Sequence, residues 1–142
     1  MVDPSSNVIA LDAMGGDGAP AVTIAGALEA VTDLGLDVLL VGPVRRLRRE
    51  LGPFRTLPGG LDLVDAADVV GMDEPPLVVL RDKPRSSLAV CAELVGTGRA
   101  AAMATAGNTG AAWGAARNAL GMIDGVDRPA LAAILPRLSG HT

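Results

Sequence analysis

Short runs that are apolar at successive positions recur along this chain, and stretches with helical spacing separate them. The runs lie at residues 8–11, 38–41, around 61–64, 100–105 and 130–135. A strand with one wet face alternates apolar and polar residues, whereas a continuous apolar run needs cover on both faces. Between the runs, residues 20–34 place Ile24, Leu28, Val31 and Leu34 near helical spacing, with Pro20 suited to a first turn and Gly35 to a stop. Residues 44–51 read as a short basic helix, and 77–81 as a turn of helix after the proline pair Pro75-Pro76. Ser86-Ser87 opens a helix with Leu88, Cys91, Ala92 and Val95 on one face, and an alanine-rich helix runs to about Leu120. Strands joined by helical crossovers give a doubly wound α/β arrangement with a mostly parallel sheet. No repeat or low-complexity linker divides residues 1–142, so a single α/β segment is expected. The last apolar run has no closing helix and no polar edge signal after it, so the chain reads as cut inside its sheet.

Composition removes several function classes. No apolar run approaches the ~18 residues of a membrane helix. The first residues carry neither a basic region nor an apolar core, so secretion is not expected. The single cysteine, Cys91, supports neither a disulfide framework nor a cysteine-rich metal site, and a cytoplasmic location is expected. Twelve basic against sixteen acidic residues, with one Trp, one Phe and no Tyr, argue against a nucleic-acid surface. Glycine stands out at 18 of 142 residues, against a typical ~7%.

Two glycine-rich segments fall just after apolar runs, where open α/β sheets bind ligands. The first is Asp12-Ala13-Met14-Gly15-Gly16-Asp17-Gly18. Its glycines allow close backbone approach, while Asp12 and Asp17 would repel a wrapped phosphate. They can instead orient loop amides, hold a basic partner, or bind a hydroxyl or a water. A tight turn with Asp17 near a helix N-cap is the alternative. The segment is not G-x-G-x-x-G, so no dinucleotide fingerprint is present. The second is Thr105-Ala106-Gly107-Asn108-Thr109-Gly110-Ala111. Here Asn108 can cap a helix whose first amides, those of Thr109, Gly110 and Ala111, face one point and suit an anion. A plain capped helix is the alternative, and no Walker Gly-Lys-Ser/Thr follows.

Of Ser86 and Ser87, one is accounted for by capping and the other is free to donate to a phosphate beside Lys83 and Arg85. Arg128, held extended before Pro129, either presents its guanidinium to a site or pairs with Asp127. Arg45, Arg46, Arg48 and Arg49 form a solvated helix face or a docking patch for an acidic partner. Cys91 reads as core packing, and the only histidine, His141, carries no catalytic role. No Ser-His-Asp set and no metal-ligand cluster is present.

Taken in order, Asp12-Ala13-Met14-Gly15-Gly16-Asp17, Gly71-Met72-Asp73-Glu74-Pro75-Pro76, Ser86-Ser87, Ala106-Gly107-Asn108-Thr109-Gly110-Ala111 and Arg128-Pro129-Ala130-Leu131 closely resemble the phosphate acyltransferase (PlsX) family. Gly18-Ala19 stands where an aromatic-glycine pair is common, and Thr105 where serine is usual. Members are more than twice this long, and their second half supplies further site segments. The resemblance implies a Rossmann-like, isopropylmalate-dehydrogenase-like fold. It implies transfer of a fatty acyl group from acyl-acyl-carrier protein to inorganic phosphate, giving acyl phosphate for phospholipid synthesis, without metal or other cofactor. It also implies a homodimer in the full-length form and peripheral membrane contact through the missing half. On that basis Asn108, Thr109, Asp12 and Asp17 are the catalytic residues: Asn108 and Thr109 bind phosphate with Gly107 and Gly110, and Asp12 and Asp17 shape the floor with Gly15 and Gly16. Ser86, Ser87 and Arg128 add donors. A phosphate acetyltransferase-like enzyme and an inactive fragment with a half-site are the competing readings. The 142-residue chain alone is expected to be inactive.

Overall fold

A computed structural model describes residues 7–52 and 56–133. Four strands form one sheet: β1 (Val8–Asp12), β2 (Asp37–Gly42), β3 (Leu61–Asp65) and β4 (Ala102–Ala104). All neighbours are parallel, in the order β3-β2-β1-β4. The helices are α1 (Ala21–Thr32), α2 (Val44–Glu50), α3 (Val78–Arg81), α4 (Ser87–Gly96) and α5 (Thr109–Leu120).

The continuous apolar strands have the expected explanation. Val38 and Leu40 join a core with Ile24, Ala27 and Val31 of α1 and Leu47 of α2. Their neighbours Leu39 and Val41 pack on the opposite face with Cys91 and Leu94 of α4. Alternate residues of one strand therefore serve two cores, and neither set can be polar. A third cluster joins Val79 of α3, Leu88 and Ala92 of α4, and Ala111 and Ala115 of α5. Helix α4 lies so close to α5 that a Cβ on Gly96 would sit 2.6 Å from the Ala119 carbonyl oxygen. Cys91 is core packing; burial first, and the charge of Asp12 second, push its thiol pKa up.

Leu40 is fully buried at the middle of the sheet. Leu40→Ala should cost about 2–5 kcal/mol, because the rigid sheet and α1 cannot close over the lost volume. Denaturant unfolding of the two proteins measures this.

Three expectations require correction. Helix α1 ends at Thr32, so Leu34 lies outside it and is exposed, while Gly35 has the positive φ of a helix stop. Asp17 is exposed and caps nothing; α1 begins after Pro20 without a side-chain cap. The fifth strand expected at 130–135 is not formed over its described part, residues 130–133, which are exposed. The Trp113 indole N–H donates to the Pro129 carbonyl at 3.2 Å, which holds the start of this segment against α5 and away from the open edge of β4. Residues 134 and 135 lie outside the described residues.

The strand order decides where a ligand can bind. From β1 the chain moves outward through β2 to β3, then returns to β4 on the other side of β1. Helices leaving β1 and β4 therefore diverge, and a crevice opens between the carboxyl ends of these two strands, which is the topological switch point of the sheet.

Candidate functional site at the switch point

Both glycine segments meet in that crevice. Asp12 ends β1 and is buried. One carboxylate oxygen accepts the Met14 N–H at 3.0 Å, and the other accepts the Thr105 hydroxyl at 2.8 Å. The Thr105 oxygen in turn accepts the Gly107 N–H at 3.0 Å. A relay Asp12–Thr105–Gly107 thus ties the loop after β1 to the turn after β4. Of the roles open to the aspartates, Asp12 orients a loop amide and binds a hydroxyl. Asp17 enters no such contact among the described residues.

Gly15 sits at the junction. A Cβ there would lie 2.7 Å from the Gly107 nitrogen and 2.8 Å from both the Asp12 carboxylate and the Thr105 hydroxyl. Only hydrogen fits. Gly16 has φ +95°, a left-handed value that favours glycine, and its added Cβ would meet Ala106 at 3.1 Å. The two segments therefore form one surface.

Asn108 is the N-cap of α5, with its side-chain oxygen accepting the Ala111 N–H at 3.0 Å. Its amide nitrogen donates to the carbonyls of Gly71, Met72 and Glu74, at 3.1, 3.2 and 2.9 Å. The side chain is buried and committed to the fold. This changes the expected donor set: the Ala111 amide is taken by Asn108, and the Gly107 amide by Thr105. The N–H groups of Thr109 and Gly110 remain, with no acceptor among the described residues. They open α5, where the helix dipole adds about half a positive charge. Thr109 is exposed at the mouth of the crevice.

The segment 71–76 forms the far wall. Pro76 packs on Gly110, where an added Cβ would lie 2.7 Å from its Cγ. Glu74 accepts the Gly71 N–H at 2.6 Å and the Lys83 ammonium at 2.6 Å, while Lys83 also donates to the Val69 carbonyl at 2.7 Å. Lys83 is therefore a strut for this wall and not a free cation.

The sequence marks Lys83 as charge that could hold an anion beside the serine pair, or as solvated surface. The structure instead commits it to Glu74 and the Val69 carbonyl, and Glu74 is a wall residue the sequence reading does not single out. The only signal for Glu74 is its place beside the prolines. Thr105 stands in the second glycine segment and where serine is usual; its bridge to Asp12 spans 93 positions and has no local sequence signal.

The Lys83 hydrogen bond first, and the Gly71 N–H second, hold the Glu74 carboxyl below the usual carboxylate range, against a smaller opposing effect of burial. A lowered folded value means the contribution is present above the usual range and is lost as pH falls through the lowered value. Acidification should therefore loosen residues 71–74 before the fold melts. Faster Gly71 amide exchange, corrected for intrinsic rates, and loss of the pH dependence in Glu74→Gln would report it.

The remaining candidates are not brought to the two free amides. Ser86 is fully buried and caps α4 through its hydroxyl, which accepts the Ala89 N–H at 3.3 Å. Ser87 is 1% exposed, and its backbone N–H donates to the Asp68 carbonyl. Burial removes both from contact with a ligand in this conformation. Arg128 is exposed, and no ion pair or hydrogen bond among the described residues ties it to Asp127 or to either glycine segment. No group of three or more His, Cys, Asp or Glu suited to a metal occurs among the described residues. No helix among them is long and apolar enough to cross a membrane.

Comparison with known proteins bears on this crevice. A family model described as "Fatty acid synthesis protein" matches residues 7–142. The chain is 47% identical over 135 residues to a phosphate acyltransferase of Pelotomaculum thermopropionicum, covering 94% of this chain and 39% of the relative. A phosphate acyltransferase of Heliobacterium modesticaldum is 47% identical over 135 residues, with 93% and 40% covered. One of Anaeromyxobacter sp. (strain Fw109-5) is 47% identical over 137 residues, with 94% and 37% covered. The chain thus spans about two fifths of the length of the curated relatives it matches.

Proposed function

Because the chain belongs to the phosphate acyltransferase (PlsX) family, we propose that its switch-point crevice binds inorganic phosphate as the nucleophile of an acyl transfer. The acyl donor is the thioester of an acyl-acyl-carrier protein, and the product is acyl phosphate for phospholipid synthesis. One observation carries the reading: two N–H groups without an acceptor among the described residues, of Thr109 and Gly110, open α5 next to the junction where Gly15 packs on Gly107.

The chemistry suits residues of this kind. Phosphate already carries negative charge near neutral pH, so no strong base is required. A phosphate oxygen attacks the thioester carbonyl carbon, a C–O bond forms, and the C–S bond breaks. The thiolate leaves and takes up a proton from solvent. The protein must hold the nucleophile in line and offset charge repulsion. In this proposal the Thr109 and Gly110 amides hold phosphate, and the Asp12–Thr105–Gly107 relay fixes the loop that faces it. Asn108 is a positioning residue: it presents the α5 terminus and anchors the 71–76 wall. In this proposal segments such as those in the further length of the curated relatives complete the site, so the 142 residues alone are expected to show no turnover.

The test is phosphate-dependent loss of thioester, with acyl phosphate trapped as hydroxamate. It is run on the chain alone and on the chain grafted in place of the matching segment of the Pelotomaculum relative. Hydroxamate from the graft and none from the chain alone is expected. A correctly folded graft that forms none, or turnover by the chain alone, contradicts the corresponding part of the proposal.

A further inference from the structure

Helix α2 presents four arginines that form no ion pair among the described residues. Leu47 is its fully buried residue, and Arg45, Arg46, Arg48 and Arg49 are exposed. At about 100° per residue, Arg45 and Arg49 lie nearly opposite Leu47, with Arg46 and Arg48 flanking them. The outward arc of the helix is entirely guanidinium. The one ion pair among the described residues joins Lys83 to Glu74, so none of these arginines is neutralised there. Nearby, Asp65 is occupied by the Val44 N–H at 3.1 Å, and Glu50 pairs with none of the four. This patch stands on a chain whose net charge is −4. Four like charges on two turns repel one another, which an acidic partner would relieve.

The patch is joined mechanically to the crevice. Strand β2 lies beside β1, and α2 begins at its carboxyl end. A Cβ on Gly42 would touch Met14 at 3.2 Å, Ala13 at 3.4 Å and Leu47 at 3.5 Å. The base of α2 and the loop after β1 therefore pack over the same glycine.

We propose that this arginine face docks an acidic protein, namely the carrier that delivers the acyl thioester. The identity of the cargo rests on the function proposed above; the docking itself rests on charge. An anionic membrane fits less well, because the apolar residue at the centre of α2, Leu47, is fully buried and has nothing to insert. Nucleic acid would lack stacking partners in a chain with 1% aromatic residues.

Titration of fluorescently labelled holo-acyl carrier protein, bearing no acyl group, measures docking without catalysis. Binding to the chain is expected to weaken steeply with salt. R45E/R49E should weaken it at least tenfold, and R45K/R49K should retain most of it, with unchanged circular dichroism in both. Absence of binding at low salt, or equal binding by the reversed variant, overturns the proposal. So does reversal-sensitive binding to phosphatidylglycerol vesicles in place of the carrier. The grafted enzyme separates the two readings when a small acyl thioester replaces the carrier. Phosphorolysis there without carrier binding rejects only the docking, and carrier binding without phosphorolysis rejects only the acyl transfer.

Discussion

Asn108→Ala is expected to lower stability by about 2–4 kcal/mol and to release the wall formed by residues 71–76. Loss of an N-cap costs about 1 kcal/mol. The two amide hydrogens are also shared among three carbonyls, and net hydrogen bonds of this kind contribute about 0.5–1.5 kcal/mol per hydrogen. This differs from the reading of Asn108 as a ligand to phosphate, under which alanine would reduce turnover and leave the fold intact. Asn108→Asp separates the two duties. Its carboxylate still caps α5 but faces three carbonyls with no hydrogen to donate. Denaturant unfolding combined with amide exchange should show alanine weakening both α5 and the wall, and aspartate weakening the wall alone. An alanine variant of native stability with a protected wall would refute the assignment.

Gly15→Ala is expected to weaken phosphate binding at the crevice at least tenfold. The added methyl would press on the Gly107 nitrogen, which is backbone and cannot rotate away, and on both members of the Asp12–Thr105 bond. Overpacking of this kind costs about 1–3 kcal/mol, and here the strain falls on the junction between the two loops. Gly26→Ala is the matched control. Gly26 lies in α1 with nothing within 4 Å of its added Cβ, so alanine should stabilise the chain by about 0.5–1 kcal/mol and leave affinity unchanged. Phosphate titration by calorimetry on the three proteins compares them directly.

Much of the architecture was legible in the sequence because its signals are local. Successive apolar residues in β1 and β2 announce two covered faces, and the core clusters place Leu40 and Val41 on opposite sides as that pattern requires. Asn108 as a cap follows from residue type and position. What the sequence could not supply is pairing. The adjacency of β1 and β4, from which the crevice arises, joins residues 93 positions apart through the Asp12–Thr105 bond, and no local pattern encodes it. The same holds for Asn108 reaching segment 71–76 and for Lys83 closing on Glu74. Ser86 and Ser87 looked available because hydroxyls are polar, yet helix packing buries both. The 130–133 segment resembles a strand in composition, but it lies by α5 through the Trp113–Pro129 hydrogen bond and does not pair with the open edge of β4.

The central claim is that phosphate sits on the first two amides of α5. Nitrogen–proton correlation spectra of the chain, recorded while inorganic phosphate is added, test it most directly. The account predicts saturable shifts largest at the Thr109 and Gly110 amides and smaller ones at Gly15 and Gly16, all needing at least tenfold more phosphate in Gly15→Ala. Shifts that do not saturate, or that centre on α2 or another surface while Thr109 and Gly110 stay still, would contradict it.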